Sequence, residues 1–285
     1  MSILKQNVTD TQLISAIKRA VNELKPLSIV RCGDGEMHFL KTYTDFDDRD
    51  MKVHHHAMCL NLHRDRVWRC NVHSPIDTVG PKPLACDCYL KDPMYKRWIS
   101  HARQIVSDAI RNADYIGLEV PGLNPRYYTI DSAVLQKYNI NHNNLKVISS
   151  LFPRERAFGS IDSFRDLIQG NDIHIVTANV DRFRQSNINE KLGVNVTYTD
   201  ISGMPSYKTN IRELVKSSVG KTSEKIILFG GGYGIKDLIP WSSKEHGKIA
   251  IDVGSVLDAW SGYKSRIMYE KPEFQHLIWT ETQSI

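Results

Sequence analysis

The sequence predicts an α/β protein with a Rossmann-like, mostly parallel sheet and helices on both faces. Short β-branched runs alternate with amphipathic helical stretches through the second half of the chain. Several of those runs stop at a glycine or a carboxylate, as strand ends around a binding cleft do. The chain has 285 residues, 41% of them hydrophobic, enough for one large core, and it reads as a single domain over 1–285.

From Thr11 to Leu24 the apolar residues Leu13, Ile14, Ile17, Ala20, Val21 and Leu24 recur at helical spacing, with Thr9 or Asp10 placed to cap. Pro26 ends that helix, and Leu27 to Arg31 reads as the opening strand. Glu36 to Leu40 starts another helix, which leaves Gly33-Asp34-Gly35-Glu36 at a strand-to-helix turn. From about 42 to 90 the pattern is irregular, with Asp45, Asp47, Asp48 and Asp50, three histidines at 54–56 and scattered Pro, Gly and Cys. It reads as an insertion or lid.

Pro93 to Ala113 returns to helical spacing through Trp98, Ile99, Ala102, Ile105, Val106, Ala109 and Ile110, and Tyr115 to Val120 follows as a strand. Helix and strand then alternate: helix Ile161–Gln169, strand Ile173–Ala178, helix Gln185–Leu192, strand Val194–Thr199, helix Tyr207–Ser218, strand Lys225–Phe229, helix Ile235–His246, strand Lys248–Val253.

With 37 Lys+Arg against 32 Asp+Glu, the net charge of +5 is spread along the chain, which suits an anionic substrate and lacks the basic stripe of a nucleic-acid binder. No run of 18 apolar residues occurs and the first residues do not form a secretory signal, so the expected location is cytoplasmic. Five cysteines, an odd number, argue for reduced thiols over a disulfide framework.

Three strand ends carry the chemistry. In Ser28-Ile-Val-Arg-Cys-Gly-Asp-Gly-Glu36, Asp34 and Glu36 can aim hard oxygen ligands at one divalent cation while Gly33 and Gly35 admit a phosphate; an acidic turn has the same pattern. Arg31 precedes the pair, either holding it or reaching a phosphate. In Ile226-Ile-Leu-Phe-Gly-Gly-Gly-Tyr-Gly234 a strand opens into Gly230, Gly231, Gly232, Tyr233 and Gly234. That is the design of a diphosphate cradle with an aromatic ring for a base or sugar, or of a tightly packed turn. The last strand ends at Asp252-Val-Gly254, where Asp252 is the candidate catalytic base or a turn cap; Glu119, Thr177 and Asn179 are further strand-end candidates.

Taken together and in this order, Ser28 to Glu36, Phe229 to Gly234 and Ala250 to Gly254 resemble the GT-D type glycosyltransferases, first catalogued as a domain of unknown function. The resemblance implies a Rossmann-like fold and transfer of glucose or a related sugar from a UDP-sugar to a glycan, glycoprotein or other hydroxyl acceptor. It also implies a divalent metal, manganese or else magnesium, held by Asp34 and Glu36. Residues 42–112 depart from the family pattern, and Cys32 stands where an aromatic or other apolar residue is expected.

Two other readings compete. A glycine turn followed by an acid-ended strand also suits an S-adenosylmethionine-dependent methyltransferase. Cys70-x-x-His73 and Cys86-x-Cys88, with His54, His55, His56 and His63 nearby, would suit a zinc-containing binding module.

Overall fold

The structure, a computed structural model, describes residues 4–33, 36, 40, 93–118, 132–202, 209–263, 269 and 271–279. The expected insertion at 42–90 and its Cys and His residues lie outside the described residues.

The elements run α1 (Asp10–Glu23), β1 (Leu27–Cys32), α2 (Pro93–Asn112), β2 (Tyr115–Leu118), α3 (Ser132–Lys137), β3 (Val147–Ser149), α4 (Arg156–Gly159) and α5 (Ile161–Ile168). They continue through β4 (Ile173–Thr177), α6 (Val180–Gln185), α7 (Ile188–Leu192), β5 (Val196–Asp200), α8 (Thr209–Lys221), β6 (Ile226–Gly230), α9 (Leu238–His246), β7 (Ile249–Asp252) and α10 (Val256–Trp260). Thr9 caps α1 in a reciprocal box, its hydroxyl accepting from the Gln12 amide while the Gln12 side chain accepts from the Thr9 amide.

The seven strands form one all-parallel sheet in the order β3-β2-β1-β7-β6-β4-β5. From β1 the chain builds outward through β2 and β3, crosses to β4 and β5, and returns through β6 and β7. The two halves therefore meet between β1 and β7, where Leu27, Ser28 and Ile29 pair with Ile249, Ala250 and Ile251. A crevice opens at such a switch point beyond the carboxyl ends of the strands.

Alternation along each strand supplies both layers of core. Ile29, Ile175, Leu228 and Ile251 face α1, α5, α7 and α10 through Leu13, Ile17, Phe164, Leu192 and Trp260. Their neighbours Val30, Val176, Ile227 and Ala250 face α2, α8 and α9 through Val106, Val215 and Leu238. Residues 272–279 close the first layer: Trp279 stacks on Trp260 at 3.8 Å between centroids, and its indole donates to the Gly159 carbonyl at 2.8 Å.

The expected helix at 185–192 is the shorter α7, and α6 before it was not expected; between them the Ser186 hydroxyl donates to the Phe183 carbonyl. The expected helix from Ile235 is a 3-10 turn at Tyr233–Ile235 followed by α9, because Gly232 turns the chain out of helical geometry. β3, α3, α4 and α10 were not expected; they have three to six residues each, too short for a periodic pattern to show. Among the described residues no helix is long and apolar enough to cross a membrane.

One buried titratable group lies at the opposite end of the sheet. His174 is 3% exposed and holds Thr197 and Thr199 through its two ring nitrogens, at 2.7 Å each. Burial pushes its pKa down to about 4 from an ordinary 6.5; Glu224 opposes that shift and Lys248 adds to it. The native state keeps this ring neutral while the unfolded chain takes up a proton. Stability from this residue is therefore present above the unfolded value and is lost as pH falls from about 6.5 toward 4, by up to about 3 kcal/mol. Urea unfolding across that range is expected to show a shallower pH slope in His174→Gln than in the wild type. An unchanged slope would contradict the assignment.

Candidate functional site

β1, β6 and β7 bring their carboxyl ends together, and a lysine ties them. Lys236 follows the glycine turn after β6 and is 5% exposed. Its ammonium donates to the Arg31 carbonyl at 2.6 Å, to Asp252 Oδ2, and to Glu36 Oε1 at 3.2 Å. An ammonium has three donors, and these partners use all three.

Each partner has further support. Asp252 Oδ2 also accepts the Arg31 amide at 3.0 Å, extending the β1–β7 register with a side chain. Glu36 Oε2 accepts the Gly33 amide at 3.0 Å. Burial opposes the charges on Lys236 and Glu36. For Lys236 the carboxylates of Asp252 and Glu36 outweigh that cost and hold the ammonium above its ordinary value; for Glu36 the ammonium holds the carboxyl below its own. Beside them burial pushes the Cys32 thiol up, against the pull of Lys236.

The glycine turn is built to deliver this lysine. Gly230 and Gly231 lack side chains because a Cβ there would come within 2.6 Å of Leu257 and 2.2 Å of Ile235. Gly232 has φ 67° and ψ −167°, a conformation essentially restricted to glycine. Arg212 on α8 braces both sides of Lys236: it donates to the Gly234 carbonyl at 2.9 Å and forms a two-pronged pair with Asp237 at 2.7 Å. Hydrogen bonding to Asp237 keeps its guanidinium above the ordinary value, against burial.

Several expected roles take a different shape. Among the described residues the Arg31 side chain crosses the sheet end, donating to the Ser150 carbonyl at 2.5 Å and the Val253 carbonyl at 3.1 Å. Gly254, with φ 56°, leaves room for it, since a Cβ there would lie 2.3 Å from Arg31 Nη1. Asp252, expected as the base, is 3% exposed and already accepts from two donors. The spaces beside Gly230 and Gly231 are filled by the protein's own side chains, which leaves Gly232 and half-buried Tyr233 as the outward part of the turn. Asp34, Gly35 and Glu119 lie outside the described residues. Thr177 is buried at the end of β4, and Asn179 beyond it donates to Asp258 Oδ1 at 2.5 Å.

Lys236 and Arg212 are what sequence reading missed. A lysine two residues beyond a glycine-rich turn was a visible signal, but its direction depends on the 3-10 turn. A groove of about 490 Å³ bordered by Ser160, Arg165, Lys191, His276 and Trp279 is elsewhere, and none of the strand-end residues lines it. Among the described residues no group of three or more His, Cys, Asp or Glu gathers to hold a metal.

Glu36 nevertheless fits a cation. A carboxylate offers about four lone-pair positions, and Lys236 and Gly33 take one each. Two donors already orient it, as supporting groups orient a ligating carboxylate.

A doubly wound parallel sheet with an oriented carboxylate at its switch point is the Rossmann-like class of α/β fold, in which ligands bind at the carboxyl ends of the strands. The GT-D fold-like domain model matches residues 99–260, more than half of the chain and a span that holds the glycine turn, Lys236 and Asp252. The chain belongs to this GT-D-like family and is a glycosyltransferase, which sets aside the methyltransferase and binding-module readings.

Two solved structures are similar to it. One, described as a selenomethionine-substituted domain of unknown function 1792, is 14% identical, with a TM-score of 0.45 over 92% of this chain and 85% of that one. The other, described as a new glycosyltransferase (DUF1792) from Streptococcus sanguinis, is 15% identical, with a TM-score of 0.41 over 89% and 85%. A comparison with curated proteins gives no match.

Two stability predictions follow from the geometry. Lys236→Met leaves two buried carboxylates without their cation and is expected to cost about 3–5 kcal/mol in urea unfolding, with much of that recovered in Lys236→Met/Asp252→Asn. Additive costs in that cycle would contradict the pairing. Gly254→Ala is expected to lower the melting temperature more than Gly170→Ala, because both have positive φ but only position 254 has Arg31 in the way. Equal losses would contradict the close approach.

Proposed function

We propose that this glycosyltransferase moves a sugar, glucose or a close relative, from a UDP-sugar to a hydroxyl of a glycan or glycoprotein, acting in the cytoplasm. In this reading a divalent cation, manganese or else magnesium, is held by Asp34 and Glu36. The observation that carries the proposal is Glu36 itself: an ionised carboxylate fixed by Lys236 and Gly33 where β1 meets β7.

The transfer breaks the bond between the sugar's anomeric carbon and the diphosphate, and negative charge grows on the departing phosphate oxygens. A cation bound at Glu36 would supply Lewis-acid neutralisation of that charge. The chain's own part is positioning. Lys236 and Gly33 keep Glu36 oriented, and Gly232 and Tyr233 form the outward part of the turn, where the ring has a face for the base or sugar. Gly230, Gly231 and Gly234 shape the turn after β6. Arg31 acts by bracing the crevice wall, and Asp252 anchors Lys236; as a base it would first have to give up that clamp.

Thermal shift with UDP, UDP-glucose and S-adenosylmethionine, with and without manganese, tests the reading, since a ligand that binds only the native state raises its apparent stability. The expected result is a shift with UDP and UDP-glucose that requires the metal. A shift with S-adenosylmethionine alone would overturn the donor assignment. Glu36→Gln keeps an acceptor for only one of Lys236 and Gly33 and loses the charge, and sugar-transfer turnover is expected to fall at least about 10–100-fold. Unchanged turnover would contradict the role of Glu36.

A further inference from the structure

Among the described residues, Leu24 and Tyr263 are the large hydrophobic side chains left exposed. Leu24 ends α1 on the amino side of the sheet, whereas Tyr263 follows α10 on the carboxyl side and is built into place. Gly262, with φ 78°, turns the chain out of α10, and the Tyr263 amide donates back to the Asp258 carbonyl at 2.8 Å. The Asp258 carboxylate accepts from Asn179, two residues past β4, at 2.5 Å. One turn further along the chain, on α6, the Arg182 guanidinium lies over the Tyr263 ring, 4.8 Å from its centroid. Two contacts thus tie α6 to α10. A ring covered on one face and still 45% exposed presents the rest of its surface outward.

The sheet order places this ring. α6 follows β4 and α10 follows β7, and β6 lies between those two strands, so both helices stand beside the glycine turn that ends β6. Leu257 of α10 occupies the space where Gly230 has no Cβ, 2.6 Å from where that atom would be. Glu36 follows β1, on the other side of β7.

We infer that Tyr263, held by Arg182, is a stacking platform for a sugar ring of the acceptor. A pyranose has a face of C–H groups and a rim of hydroxyls, which complements an aromatic surface with guanidinium donors beside it. The cation–π contact fixes the ring before a ligand arrives, and a tyrosine has few torsions to immobilise. The donor's diphosphate belongs at Glu36 and the glycine turn in the reading above, and the platform stands across β7 from Glu36, on the side left for the acceptor. The inference rests on that sugar-transfer reading for the acceptor being a saccharide.

Saturation-transfer NMR of the full chain with cellobiose, maltotriose, lactose and chitotriose tests this without turnover. The expected result is transfer to the ring C–H protons of at least one of these in the wild type, kept in Tyr263→Phe and Tyr263→Trp. In Tyr263→Leu, which keeps apolar bulk and loses the aromatic face, it is expected to fall at least about fivefold at an unchanged melting temperature. No transfer to any of the four, or equal transfer in Tyr263→Leu, would overturn the proposal. A melting temperature lowered together with the binding would mark the ring as structural and also overturn it. The manganese-dependent thermal shift with UDP is expected to be the same in Tyr263→Leu and the wild type; its loss in the variant would give the ring to the nucleotide and overturn the acceptor assignment. If UDP shifts neither protein, the donor reading fails, while the saccharide signal still judges the platform.

Discussion

A single buried ammonium organises the functional end of this protein. Lys236 reaches from the turn after β6 to the backbone of β1, the carboxylate that ends β7 and the carboxylate that follows β1, joining three segments that the chain order keeps far apart. A buried lysine is expensive unless it is fully paired, and here every donor has a partner. The arrangement is self-consistent: the carboxylates hold the ammonium charged, and the ammonium holds Glu36 ionised. Removing Lys236 leaves two buried carboxylates without their cation, whereas removing either carboxylate leaves the ammonium paired with the other.

The rest of the fold supplies that ammonium with its surroundings. The sheet order puts β7 between β1 and β6, which aligns Asp252 with the Arg31 amide and places the glycine turn alongside. Close packing explains Gly230 and Gly231, left-handed geometry explains Gly232 and Gly254, and Arg212 with Asp237 fixes the turn from outside. These are separate constraints with one outcome, the direction of a single side chain. A glycine-rich turn that reads as a phosphate cradle is thus equally a device for burying a cation beneath the place where phosphate is expected.

The fold was legible because its signals are local. Alternating strands and amphipathic helices of ordinary length announce themselves through periodicity, and the helix from Asp10 and the strands at β1, β4, β6 and β7 fall within a residue or two of the expected ranges. The short elements were not legible, since three residues of β3 or five of α10 carry no period. The residue composition of the site was partly legible: Glu36, the glycine turn and Asp252 stood out as strand ends. Their roles were not, because Arg31 turns to carbonyls and Lys236 to the carboxylates, choices made by tertiary geometry 205 residues apart in the case of Lys236 and the Arg31 carbonyl. Charge partners across such separations leave no mark in sequence spacing.

The central claim is that Lys236 is a fully paired, permanently charged ammonium. Heteronuclear NMR of protein labelled with ¹⁵N-lysine reads it directly, with the Lys236 resonance assigned by its loss in Lys236→Met/Asp252→Asn. The account predicts an ammonium signal protected from solvent exchange that stays protonated at pH values where the exposed lysines have already lost their protons. A rapidly exchanging signal, or one that titrates with the surface lysines, would contradict it.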